Sequence, residues 1–134
     1  MKIKSDKADI KFSQYIRLRD KKCVRCNSPV RVNTKRLPVS HTNSHYFGRG
    51  KEGTRFEPDN CDALCFGCHQ EWGSNDRESY REFKIKQLGE QRFKTLQLQA
   101  YSYHKKDRFI ELIKWKAMLE NLILQNELKK LTNK

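Results

Sequence analysis

Apolar residues recur at helical spacing near both ends of the chain and lose that period in the middle. Phe12, Tyr15 and Ile16, with Arg19 completing an i, i+3, i+4, i+7 series, predict an amphipathic helix from Asp6 to Asp20. Ser5 or Asp6 is its cap. Residues 30–40 follow the turn-forming Asn27-Ser28-Pro29 and alternate weakly through Val30, Val32, Leu37 and Val39, which suits a short strand or hairpin arm. Residues 41–60 hold Gly48, Gly50, Gly53 and Pro58 and no helical period, so a loop-rich stretch is expected there. Helical spacing returns after Cys68. Asn75 or Asp76 can cap a helix to Leu88 with Tyr80, Phe83 and Leu88 on one face, and Gly89 ends it. A further helix is predicted over Glu90–Tyr101 through Phe93, Leu96 and Leu98, and a long last one over Asp107–Leu131. These elements give an α+β class, with no internal repeat and no low-complexity segment.

The 134 residues suffice for one compact domain with a helical appendage. No apolar run is long enough for a membrane span, and the start Met-Lys-Ile-Lys-Ser-Asp-Lys lacks the apolar core of a secretory signal. Mean hydropathy is −0.97, close to that of disordered chains. Seven Phe, five Tyr and two Trp argue instead for a packed core. A small, soluble, intracellular globular protein is expected.

Charge narrows the partners. Lys and Arg number 29 against 16 Asp and Glu, a net +13, and the excess is uneven: +9 in residues 1–60, none in 61–100 and +4 in 101–134. A domain this basic points to a polyanion, nucleic acid foremost. The plainer reading is that the charge serves solubility alone.

The cysteines carry the sharpest chemical signal. Cys23-Val24-Arg25-Cys26 and Cys65-Phe66-Gly67-Cys68 are two C-x-x-C pairs with 38 residues between them. A two-residue gap lets both thiolates of a knuckle reach one tetrahedral ion at about 2.3 Å. In an intracellular chain such pairs favour metal over disulfides, and two separated knuckles suit structural Zn²⁺ better than an iron–sulfur cluster. The interval is about twice that of a simple zinc ribbon, so the metal staples a loop with content of its own. Cys61 reads as a small buried residue and His104 as a surface one.

The order of features inside and after that loop is specific. A knuckle, then His41 and His45, then Asn60, then a second knuckle followed at once by His69, resembles the HNH (ββα-metal) nucleases. The stretches Ser44-His45-Tyr46-Phe47-Gly48-Arg49, Thr54-Arg55-Phe56, Asp59-Asn60-Cys61 and Leu64-Cys65-Phe66-Gly67-Cys68-His69 resemble the NinG/Rap family of phage recombination nucleases more closely still. The helix Phe12-Ser13-Gln14-Tyr15-Ile16-Arg17-Leu18-Arg19 belongs to the same resemblance, which covers residues 8–100. It implies a small zinc-stapled ββα-metal core with an N-terminal helix and C-terminal helices, residues 1–100 forming the nuclease domain and 101–134 an extension. It further implies a cytoplasmic phage protein that hydrolyses phosphodiesters in branched DNA.

In that family reading His45 is the general base, as neutral imidazole near pH 7 accepts a proton readily. Asn60 fixes the hairpin and orients the base. His69 ligates a catalytic Mg²⁺ or Mn²⁺. The residue before the base, a metal ligand in many HNH enzymes, is here Ser44; His41 is the substitute candidate, and His45 binding the metal itself stays an alternative. Arg49 and Arg55 flank the site and could grip a phosphate, while Lys21, Lys22, Arg25, Arg31, Lys35 and Arg36 are expected on the DNA backbone. Two rival functions fit the same charge and knuckles: a non-enzymatic zinc-ribbon DNA-binding protein, and an HNH nuclease for packaging or degradation without junction preference.

The last helix carries a seam of Leu112, Trp115, Leu119 and Leu122, continued by Asn126 and widened by Ile113, Ala117, Leu124, Leu128 and Leu131. Its 3- and 4-residue steps suit a coiled-coil homodimer as well as packing on the chain's own core.

Overall fold

The computed structural model describes residues 4–133 and contains, among them, five α-helices and one two-stranded sheet. Helix α1 spans Lys7–Asp20. Asp6 caps it through a reciprocal box: its side chain accepts the Asp9 N–H at 3.0 Å, and the Asp9 carboxylate accepts the Asp6 N–H at 2.9 Å. Lys21, left-handed at φ 64°, closes the other end.

Strand β1 (Thr42–His45) pairs antiparallel with β2 (Cys61–Leu64), Ser44 opposite Asp62 and His45 opposite Cys61. Helix α2 (Phe66–Gln70) runs on through a π turn over Glu71–Asn75. Asp76 then caps α3 (Arg77–Leu88), Gly89 at φ 84° breaks the chain, and α4 covers Glu90–Ala100. Helix α5 (Arg108–Thr132) begins at Asp107, whose side chain accepts two N–H groups of its first turn. No helix among the described residues is long and apolar enough to cross a membrane.

The hairpin separates two cores. On one side Tyr46, Leu64, Trp72, Tyr80 and Phe93 pack with Cys23 and Cys68, and Trp72 stacks on Tyr80 with centroids 4.9 Å apart. On the other, Ala8, Phe12, Ile16, Phe56 and Cys61 pack with Trp115 of α5, the Phe12 and Trp115 rings 4.6 Å apart. Strand alternation explains the division: on β1, Ser44 turns toward α3 while His45 turns toward Phe12.

Three expectations need correction. Residues 30–40 form no strand; isolated bridges join Lys22 to Pro29 and Val32 to Pro38. Val32 and Val39 stay exposed with no layer to pack on, Pro29 and Pro38 lack an N–H, and Arg36 and His41 are left-handed. The stretch 41–60 is not all loop. It contains β1, whose polar Thr-Asn-Ser-His carries no apolar alternation and is held by its ladder to the fully buried β2. Finally, the apolar residues of the long helix divide: Trp115 and Leu119 are buried in the chain's own core against α1, whereas Ile113, Leu124, Leu128 and Leu131, expected to widen the same seam, are exposed.

Beneath the hairpin lies a charged network that the sequence did not announce. Asp62 and Lys84 are both fully buried, 3.1 Å apart, and Gln87 bonds each of them. The Tyr80 hydroxyl reaches Asp62 Oδ2 at 3.0 Å and Ser44 Oγ at 3.1 Å. Every buried charge therefore has a partner, the condition for tolerating charge in a low-dielectric interior.

Candidate functional site

The two knuckles meet. The ligand atoms of Cys23, Cys26, Cys65 and Cys68 all lie within 4.8 Å of one another, and no cysteine among the described residues forms a disulfide. Cys26 Sγ and Cys65 Sγ are 3.7 Å apart. That matches the edge of a tetrahedron with metal–sulfur bonds of about 2.3 Å, so the four residues are positioned to hold a metal ion, as structural zinc requires. The surrounding donors suit thiolates. The Cys26 N–H points to Cys23 Sγ at 3.5 Å, and Arg25 donates to Cys68 Sγ at 3.2 Å. Hydrogen bonds from Ser28 lower the Cys26 thiol to about 6, whereas burial raises Cys68 to about 12; a bound cation would favour the thiolate of both.

Beside the knuckles an open cleft of about 640 Å³ separates α1 from the hairpin. His41, His45 and His69 line it, with Arg17, Asn43 and Arg49. His45 is half-buried at the end of β1. Its Nε2 sits 2.9 Å from the Arg55 carbonyl. A carbonyl only accepts, so Nε2 carries the proton and the Nδ1 lone pair is left uncommitted. Burial lowers the His45 pKa to about 4, the Arg55 carbonyl opposing the shift; the ring is neutral at pH 7. His69 stands on α2, one residue past the knuckle, and partial desolvation against the cleft wall lowers its pKa too.

Asn60 lies away from the cleft. Fully buried, it accepts the Phe47 N–H at 2.8 Å and donates to the carbonyls of Phe47 and Thr54 at 2.9 and 3.1 Å. It thereby clamps the two ends of the loop between the strands and fixes the backbone next to Arg55, whose carbonyl holds His45.

The family model for NinG, described as Bacteriophage Lambda NinG protein, matches residues 3–131. The chain belongs to the NinG family. No curated protein and no solved structure gives a significant match.

In this NinG-family chain the cations expected on DNA divide into three groups. Arg49 lines the cleft and also donates to Ser5 Oγ. Lys21, Lys22, Arg31 and Lys35 are exposed. The others are engaged elsewhere: Arg25 on Cys68, Arg36 on Glu127 of α5 at 2.9 Å, and Arg55 in the interior. Arg55 does not face the cleft. It donates to both Asp9 oxygens and to the Lys4 carbonyl. Burial alone would raise the Asp9 carboxyl, but the hydrogen bonds and charge of Arg55 hold it below the ordinary carboxylate range. Arg108 joins this network through Asp6 at 2.7 Å and through Glu52.

His41 lines the cleft with both ring nitrogens occupied. Nε2 donates to the Ser28 carbonyl at 3.0 Å, and Nδ1 lies 2.9 Å from Ser40 Oγ. The Ser44 hydroxyl faces Tyr80 in the interior. Two cleft residues escaped the sequence reading. Arg17 is braced toward the cleft by Ser13 and the Ser40 carbonyl. Asn43 shares the His45 face of β1, and its buried Oδ1 has no hydrogen-bond partner. A period-two step from His45 is the signal that would have found Asn43.

Proposed function

We propose that this chain is a metal-dependent DNA endonuclease of the HNH type that hydrolyses phosphodiesters, with branched recombination intermediates of phage DNA as its substrates. The observation that carries the reading is His45: neutral at pH 7, with Nε2–H given to the Arg55 carbonyl, set in an open cleft that also holds His69, Arg17 and Arg49. A base for water must be deprotonated and have a lone pair to offer; Nδ1 meets both conditions, and burial makes it a weaker base than a free imidazole. Arg17 and Arg49 supply positive charge for the scissile phosphate. Exposed Lys21, Lys22, Arg31 and Lys35 add sequence-independent affinity for the DNA backbone.

For the catalytic ion the donor on the cleft wall is the His69 imidazole, since His41 is engaged through both ring nitrogens. An imidazole donor is compatible with Mg²⁺ or Mn²⁺, tilting toward Mn²⁺. Such an ion supplies charge stabilisation at the phosphate and the leaving oxygen. The branched-substrate preference and the phage cytoplasm as location rest on the family resemblance.

Nicking of supercoiled plasmid with added Mg²⁺ or Mn²⁺ tests the activity. His45→Ala should slow cleavage by about 10²–10⁴ with DNA affinity and melting temperature preserved. Cleavage within about twofold of wild type would remove His45 from the role. A four-way junction cut no faster than a linear duplex of the same sequence would remove the branch preference, and no cutting of any substrate would leave a zinc-stapled DNA-binding protein.

A further inference from the structure

Helix α5 is apolar on two opposite faces, and α1 covers only one. Trp115 and Leu119 point inward. Roughly half a turn away around the helix run Ile110, Ile113, Ala117, Leu124, Leu128 and Leu131. The five large residues of this second stripe are each between 52% and 65% exposed. Phe109, at 70%, extends the stripe at its start. Single exposed apolar residues are ordinary, but a stripe that recurs on one face along a 25-residue helix is a site for contact.

The spacing identifies what covers it. Along the stripe the steps are 3, 4, 7, 4 and 3 residues, the same read in either direction. A two-fold axis perpendicular to the helix between Glu120 and Asn121 would place Ile110 opposite Leu131, Ile113 opposite Leu128, and Ala117 opposite Leu124 of a second copy. An isologous interface pairs each residue i with j and j with i, and a palindromic stripe meets that condition along its whole length. An unrelated partner would impose no such symmetry. With roughly 100 Å² of accessible surface on each large side chain, the stripe and Phe109 offer on the order of 600 Å² per copy. That is close to the roughly 800 Å² per partner of a standard interface.

We infer that two copies of this chain associate through the outer faces of their α5 helices, running antiparallel about the Glu120–Asn121 midpoint. The inference is independent of the nuclease reading and concerns a face other than the Leu112–Leu122 seam.

Light scattering on the full-length, metal-loaded protein at tens of micromolar tests the association; a dimer is expected. Leu124→Glu combined with Leu128→Glu should give a monomer with helix content and zinc content unchanged, since neither side chain is in a core. Spin labels then test direction. Asn121→Cys should bring the two labels close, whereas Ile110→Cys should separate them by about 30 Å, twice the rise from the midpoint. A monomeric wild type at about 100 μM, or a dimer that survives the double substitution, would overturn the interface. A short Ile110→Cys separation would overturn the antiparallel arrangement.

Discussion

The two sides of the hairpin are held together by different means. The α1–α5 side is a seam of interlocking aromatic and aliphatic side chains: Phe12, Tyr15 and Ile16 against Leu112 and Trp115. The knuckle side has its own aromatic cluster of Tyr46, Trp72, Tyr80 and Phe93, but residues 21–40 contribute little to it beyond Cys23 and Val24. Residues 31–36 are exposed throughout. A segment with so little apolar surface to bury cannot offset its own ordering entropy. Cys23 and Cys26 are instead positioned to tie it, through a metal shared with Cys65 and Cys68, beside the cleft. Packing holds α1 against α5, while the four-cysteine cluster is what could hold the knuckle side.

The strongest way to break this contrast is Cys65→Ser. Structural zinc contributes folding free energy directly, on the order of 10 kcal/mol for small modules. Loss of one thiolate should release the metal and unfold residues 21–40, read as lost zinc stoichiometry and lost amide protection there. Retained protection would show that packing alone suffices. Trp115→Ala attacks the other side and should cost about 3–5 kcal/mol in chemical denaturation, with zinc stoichiometry unchanged. A change in metal content would mean that the two sides are one cooperative unit.

Between them, Asp62→Ala leaves Lys84 charged and buried. Removing one partner of a buried pair costs about 3–5 kcal/mol. Combining Asp62→Leu with Lys84→Met should recover most of that loss, a recovery that separates an electrostatic role from a shape role by denaturant midpoint.

The smallest effect is a pH dependence that sharpens the picture of the hairpin. The folded His45 pKa of about 4 lies below the ordinary value of 6.5. Between those values the unfolded chain binds a proton that the folded chain refuses, so stability falls as pH falls through that window. Wild type should therefore lose more melting temperature between pH 7 and pH 4.5 than His45→Gln, in which the titrating ring is gone and other acid effects remain. Equal losses would place His45 in water.

The sequence by itself determined the four longer helices and the four cysteines that could hold a metal, because each rests on local rules. Asp6, Asp76 and Asp107 cap the helices that follow them through neighbouring N–H groups. A C-x-x-C pair declares its chemistry within four residues. The order of motifs also singled out His45 and His69, which line the same cleft. Only the tertiary structure decided what each side chain faces. Arg55 and Arg49 read alike in a polar loop, yet Asp9, 46 residues from Arg55, draws Arg55 inside. Asn60 and Asn43 read alike too; one clamps a loop in the interior and the other lines the cleft. Strand β1 exists because a buried partner 16 or more residues later supplies its ladder, and the stripe on α5 stands open because α1 occupies the opposite face. Such outcomes depend on which partner arrives across a long loop, and no local spacing encodes that.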